Sequence, residues 1–121
     1  MTSPKSYLLR AFYEWILDNS MTPYVLVDAL GTGVTVPSEY IEDGKIILNI
    51  APAAVQALVM DKEQLSFSAR FRGSSREIMV PMTAVRAVYA KENGRGMVFP
   101  EEGGDEPTSP APKRPSLKVV K

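Results

Sequence analysis

The pattern of hydrophobic and polar positions begins with residues 6–19, which have the period of an α-helix. At about 100° per residue, the apolar side chains of this stretch fall on two adjoining faces. One face carries Leu8, Ala11, Phe12 and Trp15, and the other carries Leu9, Tyr13, Ile16 and Leu17. The polar stripe that remains consists of Arg10, Glu14 and Asp18. This apolar arc is wider than a helix needs to pack against one sheet. It therefore predicts a helix that is covered from two sides.

Two arrangements would cover such a helix. It could be a core helix wrapped by its own domain, or it could pack one face on its own sheet and the other on a second copy of the chain. Because most soluble oligomers are twofold dimers, we favour a homodimer with an interface that includes Leu9, Tyr13, Ile16 and Leu17. Ser3 and Pro4 predict the N-cap and first turn of the helix, which Pro23 prevents from continuing.

The next part of the chain changes to the pattern of extended strands. Residues 24–27 and 33–36 are rich in β-branched side chains and are separated by glycines, which predicts a hairpin. Asp43 and Gly44 form a typical hairpin turn. Residues 45–50 are apolar at nearly every position, which predicts a strand covered on both sides. Residues 52–58 are predicted to form a helical turn.

The clearest alternation in the chain lies in residues 65–72. One face of this predicted strand carries Leu65, Phe67, Ala69 and Phe71, and the opposite face carries Ser66, Ser68, Arg70 and Arg72. A turn at residues 73–75 leads to a strand at 77–80, and further strands are predicted at 85–90 and 97–99. One helix followed by about seven short strands predicts an α+β fold with a strongly bent antiparallel sheet or small barrel behind the helix.

The composition changes after Phe99. Residues 100–112 are rich in Pro, Gly, Ser and acidic residues and have no apolar period, which predicts a disordered linker. The chain ends on basic residues interleaved with Leu117, Val119 and Val120. We therefore predict three parts: a folded domain at 1–99, a flexible linker at 100–112 and a short partner-docking motif at 113–121.

Composition narrows the classes of function. The chain has no cysteine and no histidine, which removes thiol and imidazole chemistry and the commonest zinc ligands. We expect no enzymatic activity, metal or cofactor. The 14 basic residues balance the 14 acidic ones, so no net charge attracts nucleic acid or anionic lipid. No apolar run is long enough for a membrane span, and we expect a cytoplasmic protein.

Residues 67–73 are the strongest candidate for a binding site, because aromatic residues alternate with arginines there. Three interpretations remain open from the pattern alone. The segment could be an ordinary core strand with a solvated basic face, a wall of a peptide groove, or an RNA-binding surface that uses Arg70, Arg72 and Arg76.

Five segments, in order, resemble the stringent starvation protein B family of protease adaptors. They are residues 7–15 (YLLRAFYEW), 48–52 (LNIAP), 67–71 (FSARF), 89–94 (YAKENG) and 114–121 (RPSLKVVK). The resemblance implies a homodimer of Sm-like domains paired through the N-terminal helices. It also implies binding of the ssrA degradation tag, docking on the N-terminal domain of the ClpX unfoldase and enhanced degradation by the ClpXP protease. It leaves open an association with ribosomes, because the tag is added to nascent chains on stalled ribosomes.

The resemblance also implies roles for particular residues. The peptide groove of the family includes its F-x-A-R-F strand, which here is Phe67, Ala69, Arg70 and Phe71. The closing segment of the family corresponds to Met97, Val98 and Phe99, which would line the other side of the groove. The residues expected to dock on ClpX are Arg114, Pro115, Leu117, Lys118, Val119, Val120 and Lys121.

Overall fold

A computed structural model describes residues 4–99 of the chain, and both the predicted linker and the predicted docking motif lie outside this range. The described part begins with helix α1 (Lys5–Asp18) and continues with seven strands. These are β1 (Pro23–Asp28), β2 (Lys45–Asn49), β3 (Val55–Met60), β4 (Gln64–Phe71), β5 (Ser74–Pro81), β6 (Val85–Ala90) and β7 (Gly96–Val98). Short 3-10 turns occupy Ser38–Tyr40 and Met82–Ala84. The predicted α+β class is confirmed.

The strands form two antiparallel sheets that share one hydrophobic core. The first sheet has the strand order β2-β1-β6-β7 and the second has the order β3-β4-β5. Side chains from both sheets and from α1 belong to a single buried cluster, which includes Leu9, Val25, Leu48, Leu65 and Val88. Closure of the two sheets into an Sm-like barrel stays a prediction.

Helix α1 packs along β6 and β1 and is fixed by both apolar and polar contacts. Leu9 and Ile16 are fully buried. The amine of Lys5, which is itself buried, donates hydrogen bonds of 3.0 Å to the carbonyl oxygens of Met82 and Val85. Pro4 occupies the N-cap position and provides no side-chain hydrogen bond. The prediction that Pro4 is the first helical residue was therefore off by one position.

The predicted hairpin between residues 24–27 and 33–36 was wrong. Strand β1 pairs with β2 instead, with Val25 opposite Leu48 and Val27 opposite Ile46. The predicted turn decides this pairing, because Asp43 and Gly44 both have positive φ, as a tight hairpin turn of this hand requires. In the connection from β1 to this turn, Thr35 forms a backbone bridge to the second sheet, where it exchanges two hydrogen bonds with Met79.

Two further predictions need correction. Strand β2 was expected to be covered on both sides, but Ile47 is 54% exposed while Ile46 and Leu48 are buried. The helical turn predicted at residues 52–58 is a strand from Val55 onward, because pairing with β4 outweighs the weak local helical preference of this segment. Within β3 the register with β4 shifts after Gln56, next to Ala57, whose φ is 57°.

The β4–β5 hairpin confirms the alternation of the sequence. Leu65 and Phe67 are buried, Ala69 and Phe71 are half-buried, and Arg70 is exposed. The turn consists of Arg72 and Gly73, both at positive φ, so β5 begins three residues earlier than predicted. Strands β6 and β7 lie where the pattern placed them. Within residues 4–99, no helix has the length and apolarity that crossing a membrane requires.

Loss of the Lys5 amine tests how α1 is held on the sheet. In the variant Lys5→Met the carbonyls of Met82 and Val85 keep their burial but lose a charged donor. We expect the free energy of unfolding to fall by about 2 kcal/mol, measured by urea denaturation. Lys91→Met, at an exposed turn position, is the control and should change little. Equal stability of Lys5→Met and the wild-type chain would show that the Lys5 amine does not help to hold the helix.

Candidate functional site

The candidate site lies where strand β3 separates from strand β4. The last residues paired between the two strands are Val55 and Ala69. Before Val55 the chain forms a turn, in which the Ala54 N–H donates a 2.8 Å hydrogen bond to the Ala51 carbonyl. This turn carries the chain away from β4. Beyond Ala69, residues Arg70 and Phe71 of β4 are paired only with β5, so among the described strands none occupies the other edge.

A cleft of about 340 Å³ opens at this point. Its lining comes from the turn, from the start of β3 and from the hairpin β4–β5, and consists of Pro52, Ala53, Ala54, Val55, Gln56, Ser68, Ala69, Arg70 and Ser75. Of the three β4 residues in the lining, Ser68 and Ala69 pair with β3, and Arg70 lies at the start of the open edge. Such a cleft suits an extended peptide, because main-chain groups of the bound chain can pair with a free strand edge.

The lining of the cleft carries one charged side chain among small and neutral polar ones. Arg70 is its only ionisable side chain, and a guanidinium does not exchange its proton near neutral pH. The hydroxyl of Ser68 is hydrogen-bonded to the Glu77 carboxylate at 3.1 Å. Among residues 4–99 there is no cluster of three or more His, Cys, Asp or Glu residues that could hold a metal ion. The cleft offers small apolar surfaces, hydroxyls, one cation and a strand edge.

The core-facing side of the hairpin tip is covered by the 3-10 turn Ser38–Tyr40. The rings of Tyr40 and Phe71 lie 5.2 Å apart, and the guanidinium of Arg72 lies 5.8 Å from the Tyr40 ring. Arg76 forms an ion pair of 2.8 Å with Glu39. A hydrogen bond from its own backbone N–H, and then the Arg76 guanidinium, hold the pKa of Glu39 below its usual value. Glu39 is therefore ionised at neutral pH.

The structure separates the two groups of residues that were expected to form the groove. Ala69 and Arg70 line the cleft, and Phe67 and Phe71 belong to the same strand. Met97 and Val98 lie on β7, the outer strand of the other sheet, and Phe99 follows them directly. Val98 is 78% exposed, whereas Phe99 is buried beneath the amine of Lys5. The cleft lining does not include these three residues.

Sequence reasoning missed the other wall of the cleft. Residues 52–58 were interpreted as a helical turn that packs Val55 and Leu58. Val55 is indeed buried, but the start of this segment, residues 52–56, also borders the cleft. One signal could have found it: two small residues, Ala53 and Ala54, directly follow Pro52. Ser68 and Ser75 gave no signal, because exposed serines are common on strands.

Comparison with known proteins is consistent with this geometry. The family model described as "Stringent starvation protein B" matches residues 3–121. A curated relative from Haemophilus influenzae, "Stringent starvation protein B homolog", is 52% identical over 107 residues, which cover 87% of this chain and 71% of that protein. The chain belongs to the stringent starvation protein B family.

For this family member, the predicted dimer interface divides into buried and accessible residues. Leu9 and Ile16 are 0% and 1% exposed in the single chain, whereas Tyr13 and Leu17 are half-buried. Burial raises the pKa of Tyr13. The accessible apolar surface lies on the other predicted face, where Ala11, Phe12 and Trp15 line a shallow depression. Leu9 and Ile16 thus belong to the chain's own core, and the face around Ala11 is the accessible apolar face of the helix.

The residues expected to dock on ClpX, from Arg114 to Lys121, lie outside the described residues. The matched range of the family model extends through them to residue 121. This places the C-terminal motif within the part of the chain that the family shares.

Proposed function

We propose that this chain is a protease adaptor that binds ssrA-tagged polypeptides and tethers them to the ClpX unfoldase, which enhances degradation by ClpXP. The observation that carries the proposal is the cleft beside the unpaired edge of β4, since its lining can bind an extended peptide and contains no acid–base group. Membership of the stringent starvation protein B family supports the same function.

The proposed mechanism separates capture from delivery. The tag lies along β4 with its backbone near Ala69, and Arg70 attracts an acidic group of the tag. The C-terminal motif binds ClpX at the end of the linker. Tethering makes the second encounter effectively intramolecular, with a local concentration on the order of millimolar. The adaptor would therefore act at low substrate concentration and perform no covalent step.

An RNA-binding function has less support from the arrangement of the arginines. Of the three that could form a basic surface, Arg76 is paired with Glu39 and Arg72 lies over Tyr40. Arg70 is the one that borders the cleft. Nonspecific binding to nucleic acid depends on several unpaired cations that contact phosphates together.

Ala69 tests the cleft directly. In Ala69→Gln the larger side chain would fill space that the peptide backbone needs, so we expect the affinity for a labelled ssrA peptide to fall at least about tenfold, on the scale of an interface hot spot. Fluorescence anisotropy measures the affinity, and thermal unfolding should change little.

Ser66→Gln is the matched control, because Ser66 lies on the same strand outside the cleft lining. It should bind the peptide as the wild-type chain does. Equal losses of stability and affinity in Ala69→Gln would make Ala69 a packing position and contradict its place in the site.

The proposed homodimer uses the accessible face of α1. A charge introduced by Ala11→Glu would be buried without a partner in the interface, while Leu9 and Ile16 would remain in the core. We expect sedimentation to show monomers that retain their fold. Glu14→Lys, which changes charge on the polar stripe of the same helix, should stay dimeric. A dimeric Ala11→Glu variant would mean that another surface joins the subunits.

Deletion of residues 113–121 tests the tether. This segment follows the described domain, so peptide affinity, dimerisation and thermal stability should all be retained. Enhancement of ClpXP degradation at low substrate concentration should be lost, whereas degradation at saturating substrate should hardly change. A truncated chain that delivers tagged substrate as well as the full chain would exclude the C-terminal segment as the docking element.

A further inference from the structure

The tip of the β4–β5 hairpin lacks support on the side of the cleft. Strand β3 accompanies β4 only as far as Ala69, whereas the hairpin continues through Phe71 to Ser74. Only β5 pairs with β4 over these last residues, and an isolated two-stranded segment is marginally stable in water. The edge that a peptide would use therefore belongs to the least supported part of the second sheet.

The 3-10 turn Ser38–Tyr40 provides the missing support from the core-facing side. Phe71 shares that side with Phe67 and Ala69 because side chains alternate along a strand. Its ring contacts Tyr40 at a centroid distance of 5.2 Å. Aromatic contacts of this type shift an equilibrium by up to roughly tenfold beyond what burial of their surface contributes.

An ion pair fixes the turn on the hairpin. Arg76 lies opposite Ala69 in the register of β4 and β5, so it projects on the same side as Ala69 and Phe71. Its guanidinium binds Glu39 at 2.8 Å, one residue before Tyr40. The same connection is also joined to β5 by the two backbone hydrogen bonds between Thr35 and Met79. Three contacts with the hairpin thus hold Tyr40 in place.

We infer that Tyr40 is a positioning residue for the peptide cleft, held there by the Glu39–Arg76 ion pair. This inference rests on the proposed peptide-binding function. Neither Glu39, Tyr40 nor Arg76 lines the cleft. Tyr40 acts through Phe71: it keeps the open edge of β4 in the extended conformation before the peptide arrives. Binding then costs less conformational entropy, which is the advantage of a preorganised site.

Peptide affinity in Tyr40 variants tests the role. In Tyr40→Ala the Phe71 ring loses its partner, and we expect the dissociation constant for a labelled ssrA peptide to rise about tenfold, mainly through faster dissociation. Tyr40→Phe keeps the ring and should restore wild-type affinity. Amide hydrogen exchange of Phe71 and Ser74, the pair that closes the hairpin, should be faster in the free Tyr40→Ala chain and normal in Tyr40→Phe.

The ion pair is tested by a double-mutant cycle. Glu39→Gln and Arg76→Gln should each weaken peptide binding a few-fold, as exposed ion pairs have modest energies, and the double variant should be no weaker than either single one. Asp28→Asn is the matched control, because Asp28 forms an ion pair with Arg86 in the other sheet. It should leave peptide affinity unchanged.

Val27→Ala tests whether a general loss of stability alone weakens peptide binding, because it creates a cavity in the core beside the first sheet. This variant should lose thermal stability and keep peptide affinity. An affinity of Tyr40→Ala equal to that of the wild-type chain would overturn the positioning role and leave the proposed function intact. Failure of the wild-type chain itself to bind the peptide would overturn the proposed function, and the positioning role with it.

Discussion

The pairing of β3 with β4 up to Ala69, and no further, is the constraint on which the site depends. The paired part of β4 contributes Leu65 and Phe67 to the core, while its last residues have an open edge. Open edges favour aggregation, and proteins protect them with charged side chains and bulges. Here the open part is short and carries Arg70 and Arg72, and β3 has an irregularity at Ala57, where its pairing with β4 shifts register. The cleft thus lies beside a short stretch of open strand edge that charged side chains flank.

Helix α1 likewise has one face that packs in the core and one face that is accessible. Its inward face, with Leu9 and Ile16, completes the core, and Lys5 ties its first turn to the sheet. Its outward face leaves Ala11 and Trp15 accessible. Exposed apolar patches on a small domain commonly mark contacts with partners. The core, the accessible helix face and the cleft are separate parts of the molecule, so a substitution in one can leave the others intact.

Local sequence patterns predicted the helix and the strands better than they predicted which strands pair with each other. The period of α1 and the alternation of β4 are determined by side chains that face one core, so they are visible in the sequence. The partner of β1 was missed because residues 33–36 have β-branched side chains but contribute only Thr35 to a sheet. The start of β3 was missed because small residues after Pro52 satisfy helix and strand equally well. The exposure of Ile47 depends on how the sheets face each other, which no local pattern encodes.

The sequence predicted only the part of the candidate site that lies on a single strand, β4. Ala69 and Arg70 could be assigned from the alternation and the family resemblance, but the opposite wall at Pro52–Gln56 arises from a long-range separation of two strands. Tyr40 comes from a third part of the chain, which meets the hairpin only in the folded structure. Under the proposed function, such a site would bind a peptide through a backbone edge and small side chains and would select an extended chain. That arrangement would suit the proposed adaptor, which holds different substrates by one common tag and performs no covalent step.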